Sequence, residues 1–210
     1  MQLVTAPISK TAWKMADIHY TGHTTALKAL SNAETVSMAF YTPNLRTILT
    51  TIHISLMQVS KQLTKNRLNT TISHAQLFCQ QLGITNPKIA VAGLNPHAGE
   101  GGLFGTEEHT IKGVIDSHDA SITGPYPPDT LYYRAYQGEF DIVVSLYHDQ
   151  GLIPIKLIGF HDAVNVTVGL PFIRTSPDHG TAFDIAGKEQ ANSSSMQAAI
   201  ELTQQLNLPK

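Results

Sequence analysis

The stretch Phe140-Asp-Ile-Val-Val-Ser-Leu-Tyr-His-Asp-Gln-Gly151 decides the fold class of this chain. Ile142 to Leu146 is apolar and β-branched, as in a strand buried on both faces. It gives way at once to Tyr147-His148-Asp149-Gln150, groups that ligate, donate and titrate. Two other apolar runs end in the same manner: Leu45 to Ile52 runs into His53, and Ile89 to Leu94 runs into Asn95-Pro96-His97. In open α/β sheets ligands bind beyond the carboxyl ends of the strands. Histidines at three such ends are therefore expected to converge, although more than forty residues separate each from the next.

The composition narrows the classes. With 210 residues, 42% hydrophobic and 14% charged, the chain is globular and long enough to bury a proper core. A net charge of −2 with no basic block argues against nucleic acid or an anionic membrane as partner. Cys79 is the only cysteine, which excludes an internal disulfide and a cysteine-based zinc site; it reads as a small buried hydrophobe. No apolar run approaches membrane-spanning length and no signal peptide is visible, so a cytoplasmic location is expected. Ten histidines make a metal site worth seeking.

Along the chain, Met1 to Ala6 reads as a buried strand entering a helix at about Ser9 to Ala16, and a chain that begins inside a buried strand looks truncated. Thr24 to Leu30 can start a further helix. Thr35 to Thr42 and Leu45 to His53 are strands joined at Pro43-Asn44 as a hairpin. Ser55 to Leu63 and Asn69 to Leu82 are helical, the second capped by Asn69 or Thr70 and stopped at Gly83. Lys88 to Leu94 is a strand. The loop His97-Ala-Gly-Glu-Gly-Gly102 follows, then a helix from Gly105-Thr-Glu-Glu108. Gly124-Pro-Tyr-Pro-Pro128 reads as a rigid turn before the N-cap pair Asp129-Thr130. Asp149 to Gly159 starts helical and is interrupted by Pro154; Ala163 to Val168 is a strand; Ser193 to Leu206 is a terminal helix. Strands and helices alternate around one hairpin, so the class is α/β with a mostly parallel sheet.

Imidazoles with a carboxylate nearby suit zinc or another divalent ion with a position left open, and Asp129 and Asp149 are the nearest carboxylates. Arg174 ends the apolar run Leu170-Pro-Phe-Ile173 and sits either in a structural ion pair or at a rim as a clamp for carboxylate or phosphate. Lys156 and Asn165 are further cationic and amide candidates. Thr21-Gly22-His23-Thr24 is either an anion-binding turn or an ordinary helix cap. The HAGEGG loop matches neither GxGxxG nor the P-loop, so it supports no Rossmann or NTPase site. Asp178 to Lys188 (DHGTAFDIAGK) is a tight loop whose backbone comes close to something that composition does not name.

The segments LVTAPISK, TGHT, GLNPHAGEGG, GPYPPDTLYY, LYHDQG and AVNVTVGLPFIRTSPDHGTAFDIAGK together resemble the 4-hydroxythreonine-4-phosphate dehydrogenase family of pyridoxal phosphate biosynthesis, from about Leu3 to the C-terminus. The resemblance implies an isocitrate/isopropylmalate dehydrogenase-like fold and NAD(P)-dependent oxidation of a secondary alcohol, followed by decarboxylation to an aminoketone phosphate. It implies a divalent metal (zinc, magnesium or cobalt) on His53, His97 and His148. Substrate contacts map onto His23, Thr24, Lys156, Asn165 and Arg174, and Asp129 matches an acid close to the metal. Lys156 and Asp129 are the candidates for moving protons. The DHGTAFDIAGK loop is similar to a cofactor loop that binds NAD(P) without a Rossmann fingerprint, which marks His179, Gly180, Thr181 and Asp184. The implied assembly is a homodimer with a metal site shared between subunits, and the implied substrate is a small phosphorylated hydroxy amino acid.

Thr25 stands where the family usually has glutamate, Leu103-Phe104 replaces a pair that usually contains histidine, Tyr126 and Pro128 alter the turn before Asp129, and the Glu108 to Gly124 segment is short. Family members also carry a further N-terminal segment that forms one wall of the cofactor cleft. The expected division is residues 1–20 as a remnant of a first domain, 21–165 as the metal- and substrate-binding domain, and 166–210 as cofactor loop and returning helix. Two alternatives stand beside the leading one: a dehydrogenase for another four-carbon hydroxy-acid phosphate or a diol, and an inactive fragment that only binds metal and dimerises.

Overall fold

The computed structural model describes residues 1–208. In chain order the elements are β1 (Gln2–Val4), α1 (Lys10–Met15), α2 (His23–Leu30), β2 (Ser37–Tyr41), β3 (Arg46–Leu49), α3 (Val59–Gln62) and α4 (Lys65–Gln81). Then come β4 (Ile89–Ala92), α5 (Glu107–Ile115), β5 (Ile122–Tyr126), α6 (Pro128–Tyr136), β6 (Ile142–Ser145), α7 (His148–Gly159), β7 (Val164–Val168), β8 (Ile173–Pro177) and α8 (Ser194–Gln205).

All eight strands join one sheet in the order β1-β8-β7-β2-β3-β6-β4-β5. The expected mostly parallel sheet is there, with β3–β6, β6–β4, β4–β5 and β1–β8 paired parallel. The hairpin β2–β3 and the pairs β2–β7 and β7–β8 are antiparallel. As a result β3, β6 and β4, which carry the three expected histidines beyond their ends, are parallel neighbours.

The period-2 geometry of the central strands divides the core in two. Ile142 and Val144 of β6 and Ile89 and Val91 of β4 pack with α4, α5 and α8 through Ile72, Phe78, Ile111 and Leu202. Val143, Ala90 and Ala92 point the other way, onto α6 and α7 through Leu131, Leu152 and Ile155. Cys79 is fully buried on the first face, and burial pushes its thiol up to about 12, so it is the inert hydrophobe its surroundings suggest.

Several local expectations are corrected. Helix α4 starts at Lys65, not Asn69: Thr64 is its cap and accepts from Arg67 N at 3.2 Å, while Gly83 at φ +83° ends it as expected. Residues 124–126 are not a turn but the end of β5, where Pro125 is tolerated because β5 lies at the sheet edge. Pro127 caps α6, and Asp129 sits in its first turn with no capping bond. Helix α7 runs through Pro154 unbroken, since the packing of Leu152 and Ile155 offsets the one hydrogen bond that proline removes. Strand β1 is at the other edge and half-exposed, not buried. Arg174 lies inside β8, not at a rim.

Close approach of α7 to the sheet depends on Gly151. An added Cβ would meet Leu49 Cδ2 at 2.7 Å and Ser145 Oγ at 2.8 Å. Gly151→Ala is expected to destabilise the fold by about 1–3 kcal/mol in urea denaturation through overpacking. Helix propensity alone would instead stabilise by about 1 kcal/mol, so the sign decides which effect governs.

Candidate active site

The neighbouring parallel strands β3 and β6 bring two of the three expected histidines together. Beyond their last ladder residues, Thr50 N and Thr51 N bond to Ser145 O and Leu146 O, and Thr51 Oγ1 donates to Leu146 O at 2.7 Å. The backbone then turns outward to His53 on one side and opens α7 with His148 on the other. The two imidazoles face each other with ring centroids 5.7 Å apart. Asp149 Oδ1 lies 2.6 Å from His148 Nδ1, which fixes that nitrogen as the donor and leaves Nε2 free. His53 is held below its ordinary pKa by burial, then by His148 and Lys10, so it is a neutral lone-pair donor near pH 7. Ile52, Tyr147 and Asp149 line the same cleft of about 290 Å³.

His97 is not part of that pair. It stands in the loop after β4 and packs against Phe104 with ring centroids 6.1 Å apart. It lines a separate cleft with Asp129, while Tyr147 borders both clefts. Among the described residues no three of His, Cys, Asp or Glu lie close enough to hold one metal ion. One chain therefore supplies two imidazoles in position and carries the third elsewhere. The pair fits a divalent cation chemically: neutral nitrogens, one tautomer fixed by a carboxylate, and open positions beside it.

Anion chemistry gathers around Arg174. Its side chain is only 4% exposed, yet its partners are all hydroxyls: Nε and Nη2 donate to Thr5 Oγ1 at 3.2 and 2.6 Å, and Nη1 donates to Thr167 Oγ1 at 3.0 Å. Among the described residues it forms no ion pair. Burial brings this guanidinium down to about 10, still charged at neutral pH. His23, half-buried against Trp13, is lowered by burial and then by Arg174. Thr24 borders a cleft of about 370 Å³ with Lys28, Thr50 and Arg67. Asn165 Oδ1, on β7, is buried without a hydrogen-bond partner.

Lys156 Nζ, two turns along α7 from His148, donates to Asp178 O at 2.7 Å and pairs with Asp178 Oδ2 at 2.8 Å. Burial raises the Asp178 carboxyl, and Lys156 then pulls it down. Asp178 opens the expected cofactor loop. His179, Gly180 and Thr181 line a groove of about 490 Å³ with Ala6, Pro7 and Ser9; Asp184 is exposed on the turn Phe183–Ile185. Sequence reasoning missed Thr5, Thr167 and Asp178 as partners of the two cations. Only Asp178 carried a signal, its place beside His179 in the quoted loop.

The architecture is that of α/β proteins whose ligand crevices lie beyond strand ends. Residues 1–203 match the family described as "Pyridoxal phosphate biosynthetic protein PdxA", and the chain belongs to that family. It is 50% identical over 210 residues to a D-threonate 4-phosphate dehydrogenase of Pectobacterium atrosepticum, covering 97% of this chain and 64% of the relative. It is 48% identical over 211 residues to a 4-hydroxythreonine-4-phosphate dehydrogenase of Beijerinckia indica, covering 99% of this chain and 63% of that one. The crystal structure of a 4-hydroxythreonine-4-phosphate dehydrogenase from Klebsiella pneumoniae superposes with a TM-score of 0.88 at 47% identity, over 96% of this chain and 63% of the other. The chain thus spans just under two thirds of the length of these relatives. Among the described residues no helix is long and apolar enough to cross a membrane.

Two outcomes are expected. Inorganic phosphate should raise the Tm of the parent and not that of Arg174→Met, whose own stability should stay within about 1–2 kcal/mol of the parent because a buried unpaired cation is removed along with its hydroxyl bonds. His23, His53 and His74 are all held below the ordinary 6.5 by burial. The unfolded chain then takes up protons first as the pH falls. Stability present above pH 6.5 should be lost on acidification below it, read as a falling urea midpoint.

Proposed function

We propose that the chain carries the metal- and substrate-binding residues of an NAD(P)-dependent dehydrogenase. It would oxidise the secondary alcohol of 4-phosphohydroxy-L-threonine and release CO2 to leave 3-amino-2-oxopropyl phosphate, in pyridoxal phosphate biosynthesis. The observation that carries this reading is the buried Arg174 guanidinium, whose partners among the described residues are hydroxyls only. A group of that kind is completed by an anion such as a phosphate or carboxylate.

In this reading Arg174, with His23 and Thr24, grips one anionic end of the substrate, and Asn165 Oδ1 accepts a hydrogen bond from a substrate hydroxyl or ammonium group. His53 and His148, with His97, are the metal ligands, and His179, Gly180, Thr181 and Asp184 belong to the dinucleotide loop. When bound, a divalent ion supplies Lewis acidity at the substrate's oxygen, and the dinucleotide supplies the hydride acceptor. Lys156, bonded to Asp178 at the start of the dinucleotide loop, is the first candidate for giving a proton to the carbon left by CO2. Asp129, in the cleft of His97, is the second candidate for moving a proton.

His97 stands apart from the pair, which favours a homodimer in which the metal site draws on both subunits. Ile153 and Leu157 of α7, Phe160 just after it, and Leu56 and Met57 of the segment after His53 are exposed apolar side chains that such a partner would cover. A second reading, oxidation of D-threonate 4-phosphate, is favoured by the 50% identical relative of that name. The two acids differ at C2, an amine in one and a hydroxyl in the other.

NADH formation by the purified chain with a divalent metal, offered each acid in turn, tests both. Turnover on one acid and not the other names the substrate. Lys156→Met is expected to lower kcat by about 10²–10⁴-fold, and His53→Ala to abolish turnover. Unchanged turnover in His53→Ala would sink the metal assignment. A folded dimer inactive on both acids would sink the dehydrogenase reading.

A further inference from the structure

The loop that presents His97 is wound the wrong way for L-residues. His97, Ala98, Gly99, Glu100 and Gly101 have φ of 54°, 51°, 80°, 43° and 66°, a left-handed turn in which three residues are not glycine. Each such residue costs roughly 1–2 kcal/mol relative to the right-handed form, so the turn persists only if its surroundings over-determine it.

Backbone bonds from Ala98 N to Asn95 O and from Phe104 N to Gly99 O close the turn, and one side chain braces its entry. Glu108, in the first turn of α5, is 7% exposed and pairs with no lysine or arginine among the described residues. Its Oε1 accepts from Leu94 N at 2.9 Å and Asn95 N at 2.7 Å, the two amides that lead into the turn. Its Oε2 accepts from Asn95 Nδ2 at 2.9 Å, a group that also donates to Glu107 Oε2 at 2.9 Å. Gly99 lies flat on the same carboxylate: a Cβ there would sit 2.7 Å from Glu108 Oε2. Gly93 lies against Ala98 in the same manner, with a Cβ 2.9 Å from Ala98 Cα.

We propose that Glu108 is a positioning residue: its buried carboxylate holds the left-handed turn 97–101 in the conformation that presents the His97 imidazole to a divalent metal. Nothing in the assigned metal and substrate set includes it. The inference rests on His97 being a ligand. The carboxylate acts twice, as acceptor for the amides that enter the turn and as the surface against which Gly99 lies.

The test measures Zn²⁺ and Co²⁺ affinity by chelator competition, the visible spectrum of the Co²⁺ form, and hydrogen exchange at Leu94 and Asn95, none of which requires turnover. Glu108→Ala, in the full chain and folded by circular dichroism, should bind metal about 10–100-fold more weakly, with an altered Co²⁺ spectrum and faster exchange at both amides. Glu108→Gln keeps an acceptor oxygen and should restore most of the affinity. Should Glu108→Ala not fold, Gly99→Ala, which pushes on the carboxylate, should reproduce the weaker binding. A lowered Tm with parental affinity and parental Co²⁺ spectrum would make Glu108 merely structural and overturn the proposal. Parental metal binding in His97→Ala would overturn the ligand reading, and this inference with it, whatever the exchange data show.

Discussion

Gln150 ties together the ends of the two strands that lead to His97 and His148. It is buried at the start of α7, accepts from Leu146 N at 2.6 Å and donates to Gly93 O at 2.8 Å. Leu146 follows β6 and Gly93 follows β4, so one carboxamide satisfies a backbone donor and a backbone acceptor that no ladder partner reaches. Thr51 joins β3 to β6, its N and Oγ1 both donating to Leu146 O. The loops bearing His53, His97 and His148 therefore leave a common rigid base, and a divalent ion would meet side chains already set in direction.

That base belongs to one half of the sheet. The parallel block β3-β6-β4-β5 holds the histidines, whereas the antiparallel turns into β2, β7 and β8 bring Asn165 and Arg174 alongside. Helix α7 links the two halves, with His148 at its start and Lys156 two turns on, bonded to Asp178 of the β8 loop. The contrast in charge is physical. On the histidine side burial holds His53 below its ordinary pKa, while on the other side a guanidinium buried among hydroxyls stays charged at neutral pH.

Much of this was legible in the residues. The β-branched run at 142–146 and its abrupt polar end announced a doubly covered strand with a site beyond it, because side chains of both parities are apolar. The convergence of His53 with His148 followed from strand-end logic. The standing apart of His97 did not, since a left-handed turn has no periodic signature. The HAGEGG loop advertised unusual backbone through its glycines, but not that His97, Ala98 and Glu100 would share it. Arg174 was misjudged as a rim residue because an apolar run ending in arginine looks the same whether its strand stops or continues. Helix α4 began early because Thr64 supplied a cap bond that Asn69 and Thr70 only resembled.

The sequence by itself determined the α/β class, the two-sided burial of the central strands, most element positions, and the family to which the chain belongs, because these depend on local periodicity and on long unbroken motifs. Tertiary structure alone decided which strands are neighbours, that two imidazoles meet while a third does not, and that Arg174 is held by Thr5 and Thr167 rather than by an acid. Those outcomes depend on contacts between residues far apart in the chain, such as Thr5 and Arg174, which are 169 positions apart. Such contacts form only once the sheet order is set, and no local pattern encodes that order.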